Sequence, residues 1–224
     1  MGLAAELRHA CADALQHAGP DAPTLCEGWK TRDLAVHLVL RDRRPDAVLT
    51  SFVPPLRRWA RRVKQGYTAK PYDDLVAMVR QGAPVSPFKV PLLDELANVV
   101  EFYVHTQDVV RAARTWTPSE VDLVLPDATE DVLWWRLQTM GRVLCLKSPT
   151  GIEFVRINGG AGGAVAAARQ TTTAHPATKL GVVQVSGRAG ELLLFAFGRS
   201  GAAQVELDGS AAAVNALRKA PLGF

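Results

Sequence analysis

Residues 24–48 read TLCEGWKTRDLAVHLVLRDRRPDAV, and the reading of that stretch decides the fold. A helix is expected to begin after Trp29. Thr31 suits its N-cap, and Asp33 falls in the first turn, where the helix dipole favours an acid. Leu34, His37, Leu38 and Arg41 then repeat at helical spacing as far as Pro45. His37 is out of place in that stripe, because a core-facing position normally takes Leu, Val or Ala. Either it is a hydrogen-bonded core histidine, or a polar partner meets it from another helix.

Working outward, Leu3, Leu7, Cys11 and Leu15 form a second helical stripe, stopped by Gly19 and Pro20. Further helices fit residues 51–65, 72–81, 91–114 and 119–141, with Pro91 well suited to a helix start. Helices joined by short Pro/Gly loops predict an antiparallel bundle. The texture changes near residue 142. RVLCLKS (142–148) and GIEFVRING (151–159) read as β-type runs around the turn SPTG. The Gly/Ala-rich residues 159–179 are weakly ordered by composition. GVVQVSG (181–187) reads as a strand, RAGELLLFAFGR (188–199) as a short apolar helix and AAQVELDG (202–209) as a strand. Residues 210–220 close the chain as a helix capped by Ser210. The expected fold class is therefore a helical domain over 1–141 followed by a small α+β domain over 142–224.

Composition sets limits on function. The 224 residues are 48% hydrophobic and 21% charged, with a net charge of +4, enough for one large domain or two small ones. Much of the basic surplus lies in RRWARRVKQ (57–65), which reads as a solvated helix face; no aromatic interleaving or known module points to nucleic acid. Cys11, Cys26 and Cys145 are odd in number and lack CxxC spacing, against a disulfide framework or zinc knuckle. No apolar run approaches the roughly 20 residues of a membrane span. The N-terminus lacks a signal-peptide layout, and the Gly2 context lacks a myristoylation signal. A cytoplasmic protein, monomer or homodimer, is expected.

The partner for His37 is offered by NVVEFYVHTQDVVRAAR, residues 98–114. Glu101 and His105 are four apart and share one helix face, with Asp108 three further on. Val100, Val104 and Val109 run beside them, so the polar pair emerges next to an apolar stripe. A carboxylate and an imidazole one turn apart can grip one ion, and His37 from a neighbouring helix would complete a two-His, one-carboxylate set with an open position. The competing reading is a solvated ionic pair and a satisfied core histidine.

The pattern Trp29-x-x-x-Asp33-Leu34-x-x-His37-Leu38, followed by Glu101-x-x-x-His105-x-x-Asp108, resembles the mycothiol-dependent maleylpyruvate isomerase family of the DinB-like metal-binding superfamily. Residues 24–47 look especially like an actinobacterial subgroup of unassigned activity. The resemblance spans nearly the whole chain. It implies an up-down four-helix bundle holding a divalent metal, usually zinc, and a small sterol-carrier-like α+β domain. It also implies His37, Glu101 and His105 as metal ligands, and mycothiol, a small-molecule thiol, as cosubstrate with an electrophilic substrate. Zinc favours the thiolate form, so isomerisation or S-transfer is the implied chemistry, with metal-assisted hydrolysis or non-enzymatic metal or apolar-ligand binding as alternatives. An arginine of the C-terminal domain is implied in substrate binding, and Arg188 and Arg199, flanking the short apolar helix, are the candidates. Asp33 either bonds the second ring nitrogen of His37 or caps its helix. Asp108 either orients His105 or pairs outward with Arg111 or Arg114. Cys26, close to Trp29, either nears the site or is simply buried.

Overall fold

A computed structural model describes residues 2–50, 52–83, 91–117, 125–157 and 169–223, with the backbone alone over 91–97. Met1, Ser51, 84–90, 118–124, 158–168 and Phe224 lie outside the described residues; the sequence places two helix starts and about half of the Gly/Ala-rich stretch there. Among the described residues the protein is mixed α and β, with nine α-helices and one four-stranded sheet. It divides into two compact units, Met1–Val121 and Asp122–Phe224.

The first unit is helical: α1 (Leu3–Ala18), α2 (Thr31–Arg43), α3 (Pro45–Thr50), α4 (Arg57–Thr68), α5 (Tyr72–Gln81) and α6 (Pro91–Val110). Each boundary has a local cause. The glycine after α1 adopts φ 75°, which favours a residue without Cβ. Pro45 opens α3 rather than merely ending α2, since proline fits the first helical position. Pro54 and Pro55 hold a 3-10 turn, Pro54–Leu56, so the helix expected from 51 starts only at Arg57. α1 packs on α5 and α6, and α2 on α4 and α5. The core between them holds Leu15, Leu34, Leu38, Leu75 and Phe102, all fully buried. Each such side chain contributes about 1.5–3 kcal/mol through burial. Arg8 ties four helices at once: it pairs with Asp42, donates to the Val79 carbonyl at 3.2 Å and lies 4.3 Å over the Phe102 ring.

The second unit contains α7 (Asp127–Leu144), β1 (Gly151–Arg156), β2 (Gln170–His175), β3 (Val182–Gly187), α8 (Ala189–Ala196), β4 (Glu206–Asp208) and α9 (Ala211–Arg218). The strand order is β2-β1-β3-β4, with β1 parallel to β3 and the outer pairs antiparallel. α7 packs on α8 and β2. Leu133, Leu137, Ile152, Phe154, Leu192 and Phe195 form its interior, and Phe154 meets Phe195 edge-on at 6.4 Å. Ser210 accepts from the Ala213 amide at 3.2 Å, the expected cap of α9.

Two local expectations are corrected. RVLCLKS is no strand: α7 runs through Leu144, and Val143 and Leu146 point to solvent. Within residues 159–179, Gln170–His175 forms strand β2 against β1. The texture boundary at 141/142 also differs from the unit boundary at 121/122 by one helix, because the buried stripe of α7 packs on α8 and β2. No helix of the described residues is long and apolar enough to cross a membrane.

Candidate metal centre

α2 and α6 bring the sequence-derived donors together. Glu101 Oε1 lies 3.0 Å from His37 Nε2 and 3.3 Å from His105 Nε2. One ligand atom from each of the three lies within 4.8 Å of the others. The imidazoles of His37 and His105 sit edge to face at 5.3 Å. A tetrahedral zinc ion with bonds of about 2.0–2.1 Å separates its donors by about 3.3 Å. The two separations from Glu101 are near that value and the third lies within 4.8 Å, and two imidazoles with one carboxylate are donors of the type zinc takes.

The loop before α2 builds one wall. Trp29 N–H donates to the Cys26 carbonyl at 3.0 Å, closing a β-turn in which Gly28 takes φ 74°. A positive φ at the third residue is what type II and type I′ turns require, and glycine supplies it without strain. Thr24 Oγ1 donates to the Trp29 carbonyl at 2.9 Å, and Leu25 N–H donates to the Asp108 carbonyl at 3.0 Å, fastening the loop to α6. Trp29 is thereby delivered beside His37, ring centroids 5.3 Å apart.

Behind the donors, Asp108 is completely buried and its Oδ2 accepts from His105 Nδ1 at 2.9 Å. With a proton on Nδ1, His105 Nε2 faces Glu101: when protonated it donates to the carboxylate, and when deprotonated its lone pair can hold a metal. Cys26, half-buried, donates its thiol to the same Asp108 oxygen at 3.1 Å. Arg41, one turn after His37, reaches Glu101 Oε1 with its Nε at 3.5 Å and Asn98 Oδ1 with Nη1 at 2.6 Å. Burial opposes charge on both Glu101 and His105, yet their neighbours win. Hydrogen bonds from His105 and His37, with Arg41 nearby, hold the Glu101 carboxyl far below the usual carboxylate range. Bonds to Asp108, Cys26 and Glu101 raise His105 well above an ordinary imidazole. Two carboxylates thus converge on the imidazole nitrogens, and either a proton or a metal ion held on those nitrogens balances carboxylate charge.

A second group, Cys26, His105 and Asp108, also brings ligand-type atoms within 4.8 Å. It uses the far side of His105, where Asp108 is sealed from solvent and already holds Nδ1. The first group is the accessible one. His37 borders a cavity of about 500 Å³ whose apolar wall includes Trp29, Leu40, Ala47, Val48 and Phe52.

Asp33 takes the capping alternative: its Oδ2 accepts from the Lys30 backbone N–H at 3.1 Å, and it makes no hydrogen bond to His37. The helix begins at Thr31, so Lys30 occupies the N-cap position assigned from sequence to Thr31. Arg188 and Arg199 belong to the second unit. Arg188 donates to Glu130 Oε1 at 3.1 Å and to the Leu125 carbonyl at 3.4 Å; Arg199 donates to the Phe197 carbonyl at 2.6 Å. Sequence reasoning missed Arg41 as a neighbour of Glu101, although its i+4 spacing from His37 put it on the same helix face. In comparisons with known proteins, no family model, no curated protein and no solved structure matches the chain.

Proposed function

We propose that the protein binds a divalent metal, zinc, through His37, Glu101 and His105, and acts as a thiol-dependent isomerase or S-transferase on a small electrophile, with mycothiol as cosubstrate. The observation that carries the metal reading is the convergence of three donors from two helices at zinc-like spacing beside an accessible cavity. The choice of thiol chemistry rests on the resemblance of the Trp29–Leu38 and Glu101–Asp108 patterns to the mycothiol-dependent maleylpyruvate isomerase family. On the same reading the first unit is a DinB-like up-down bundle and the second a sterol-carrier-like domain.

Each residue has a stated task. His37 and His105 present Nε2, and Glu101 presents Oε1. Asp108 fixes the tautomer and plane of His105. Arg41 holds the Glu101 carboxylate in place and balances part of its charge. A bound zinc ion supplies Lewis acidity that draws the proton from a thiol or water near neutral pH. With a divalent cation present, Glu101, Asp108 and Arg41 leave a formal excess of one positive charge, which favours an anionic partner in the open position. Trp29 and the apolar wall limit water at the His37 edge.

Cobalt exchange followed by titration with mycothiol tests this. The expected result is stoichiometric cobalt, a thiolate-to-metal absorption on adding mycothiol, and no stoichiometric metal in His37→Ala. Undiminished metal in His37→Ala would remove the ligand assignment. A cobalt spectrum indifferent to mycothiol would remove the thiol-dependent reaction and leave metal binding alone.

A further inference from the structure

The basic segment 57–65 reads from sequence as a solvated face, but α4 presents one of its edges to the cavity at His37. Arg57, Ala60, Arg61 and Lys64 all line that cavity. They stand at i, i+3, i+4 and i+7, a single helical stripe. Ala60, the buried residue of α4, sits within this stripe, while Arg57, Arg61 and Lys64 are exposed, so the stripe forms the solvent-facing rim of the cavity. Arg58 and Arg62 occupy the other side of the helix and do not line the cavity. Among the described residues no carboxylate forms an ion pair with Arg57, Arg61 or Lys64. Lys64 Nζ lies 5.9 Å over the Trp29 ring, and Trp29 lies 5.3 Å from His37, so the cationic edge and the donor cluster are joined by one aromatic side chain.

An apolar cavity with three cations on one edge and a candidate metal ligand on another is asymmetric in a specific way. Its volume of about 500 Å³ lies within the range of small-molecule sites. Apolar surface alone gives little orientation; a charge contact at one end fixes which end of a ligand faces His37. We propose that the site takes a small amphipathic anion: an apolar body on Leu40, Ala47, Val48 and Ala60, and a carboxylate, sulfonate or phosphate held by Arg57, Arg61 and Lys64. This substrate class rests on the reading that His37 belongs to the working site. The cationic stripe is then a specificity element, and its residues are not metal ligands.

The test uses two fluorescent probes with the same ring system. 8-Anilinonaphthalene-1-sulfonate carries an anion, and N-phenyl-1-naphthylamine does not. Each is titrated into the full-length protein as purified and again with EDTA. The sulfonate probe is expected to bind about tenfold more tightly in both, as two or three partly exposed charge contacts allow. Arg61→Gln with Lys64→Gln should remove most of that preference while neutral-probe binding stays unchanged. Arg58→Gln with Arg62→Gln removes the same charge from the other side of α4 and should leave the preference intact. Equal binding of the two probes, or equal loss in both double variants, overturns the proposal. A preference that disappears with EDTA would put the sulfonate on a metal and also overturn it. Sedimentation with phosphatidylglycerol vesicles that Arg58→Gln with Arg62→Gln abolishes, without probe discrimination, would make α4 a membrane-contact helix instead. Since the EDTA arm needs no metal, failure here is separable from failure of zinc binding in His37→Ala.

Discussion

Replacing Asp108 by Asn isolates the contribution of a buried carboxylate that touches no substrate. Asp108 is completely buried, and its Oδ2 accepts from His105 Nδ1 at 2.9 Å and from Cys26 Sγ at 3.1 Å. Asn keeps the shape and an acceptor oxygen but loses the charge that raises His105 basicity and fixes its tautomer. Loss of such an outer partner typically weakens metal affinity about 10–100-fold, or about 1.4–2.7 kcal/mol. Asp108→Ala goes further, leaving the His105 Nδ1–H without its carboxylate acceptor, and adds about 1–3 kcal/mol of folding cost. The assay is zinc affinity by competition with a chromophoric chelator, with circular dichroism melts to establish that each variant is folded. A folded Asp108→Asn protein with unchanged zinc affinity would refute the orienting role. A folded Asp108→Asn protein with no zinc at all would make Asp108 itself a ligand and move the site to the Cys26, His105, Asp108 group.

Other expectations concern the scaffold. Gly28 has φ 74° with nothing within 4 Å of a built Cβ, so Gly28→Ala meets a purely conformational cost of about 1–2 kcal/mol, read as a lower urea midpoint. An unchanged midpoint would contradict the turn assignment. Cys26 is half-buried whereas Cys11 and Cys145 are sealed, so a thiol reagent should label Cys26 first and the others only on unfolding. Burial pushes the Cys145 thiol from 9.0 up to about 12. Its contribution to stability is complete below about pH 9 and is lost as pH rises toward 12, at about 1.4 kcal/mol per pH unit, because the unfolded chain ionises first. Cys145→Ala should reduce the alkaline slope of unfolding free energy by that amount; an unaltered slope would refute it.

The candidate site was legible wherever its residues obey helical spacing. His37 interrupting a Leu/Val stripe and Glu101 four residues before His105 are local patterns, and local patterns survive into the fold. The tertiary attachments were not legible. Nothing in TLCEGW states that the Leu25 amide will bond the Asp108 carbonyl, and which edge of α4 borders the cavity depends on where that helix is packed. The strand β2 was hidden because, in QTTTAH, only Ala174 is buried, leaving little alternation to read. RVLCLKS misled for the opposite reason. A short apolar run at a helix end carries the same hydrophobic signal as a strand, and here Leu144 and Cys145 are buried as the last turn of α7. The texture change near 142 reflects composition, whereas the allegiance of α7 is set by which surface its Leu133–Leu137 stripe meets.

Anomalous diffraction at the zinc edge on crystals grown with zinc tests the central claim most directly. One peak is predicted at about 2.0–2.2 Å from Nε2 of His37, Nε2 of His105 and an Oε of Glu101. A peak seated on Cys26 Sγ, His105 Nδ1 and Asp108, or no peak between α2 and α6, would contradict it.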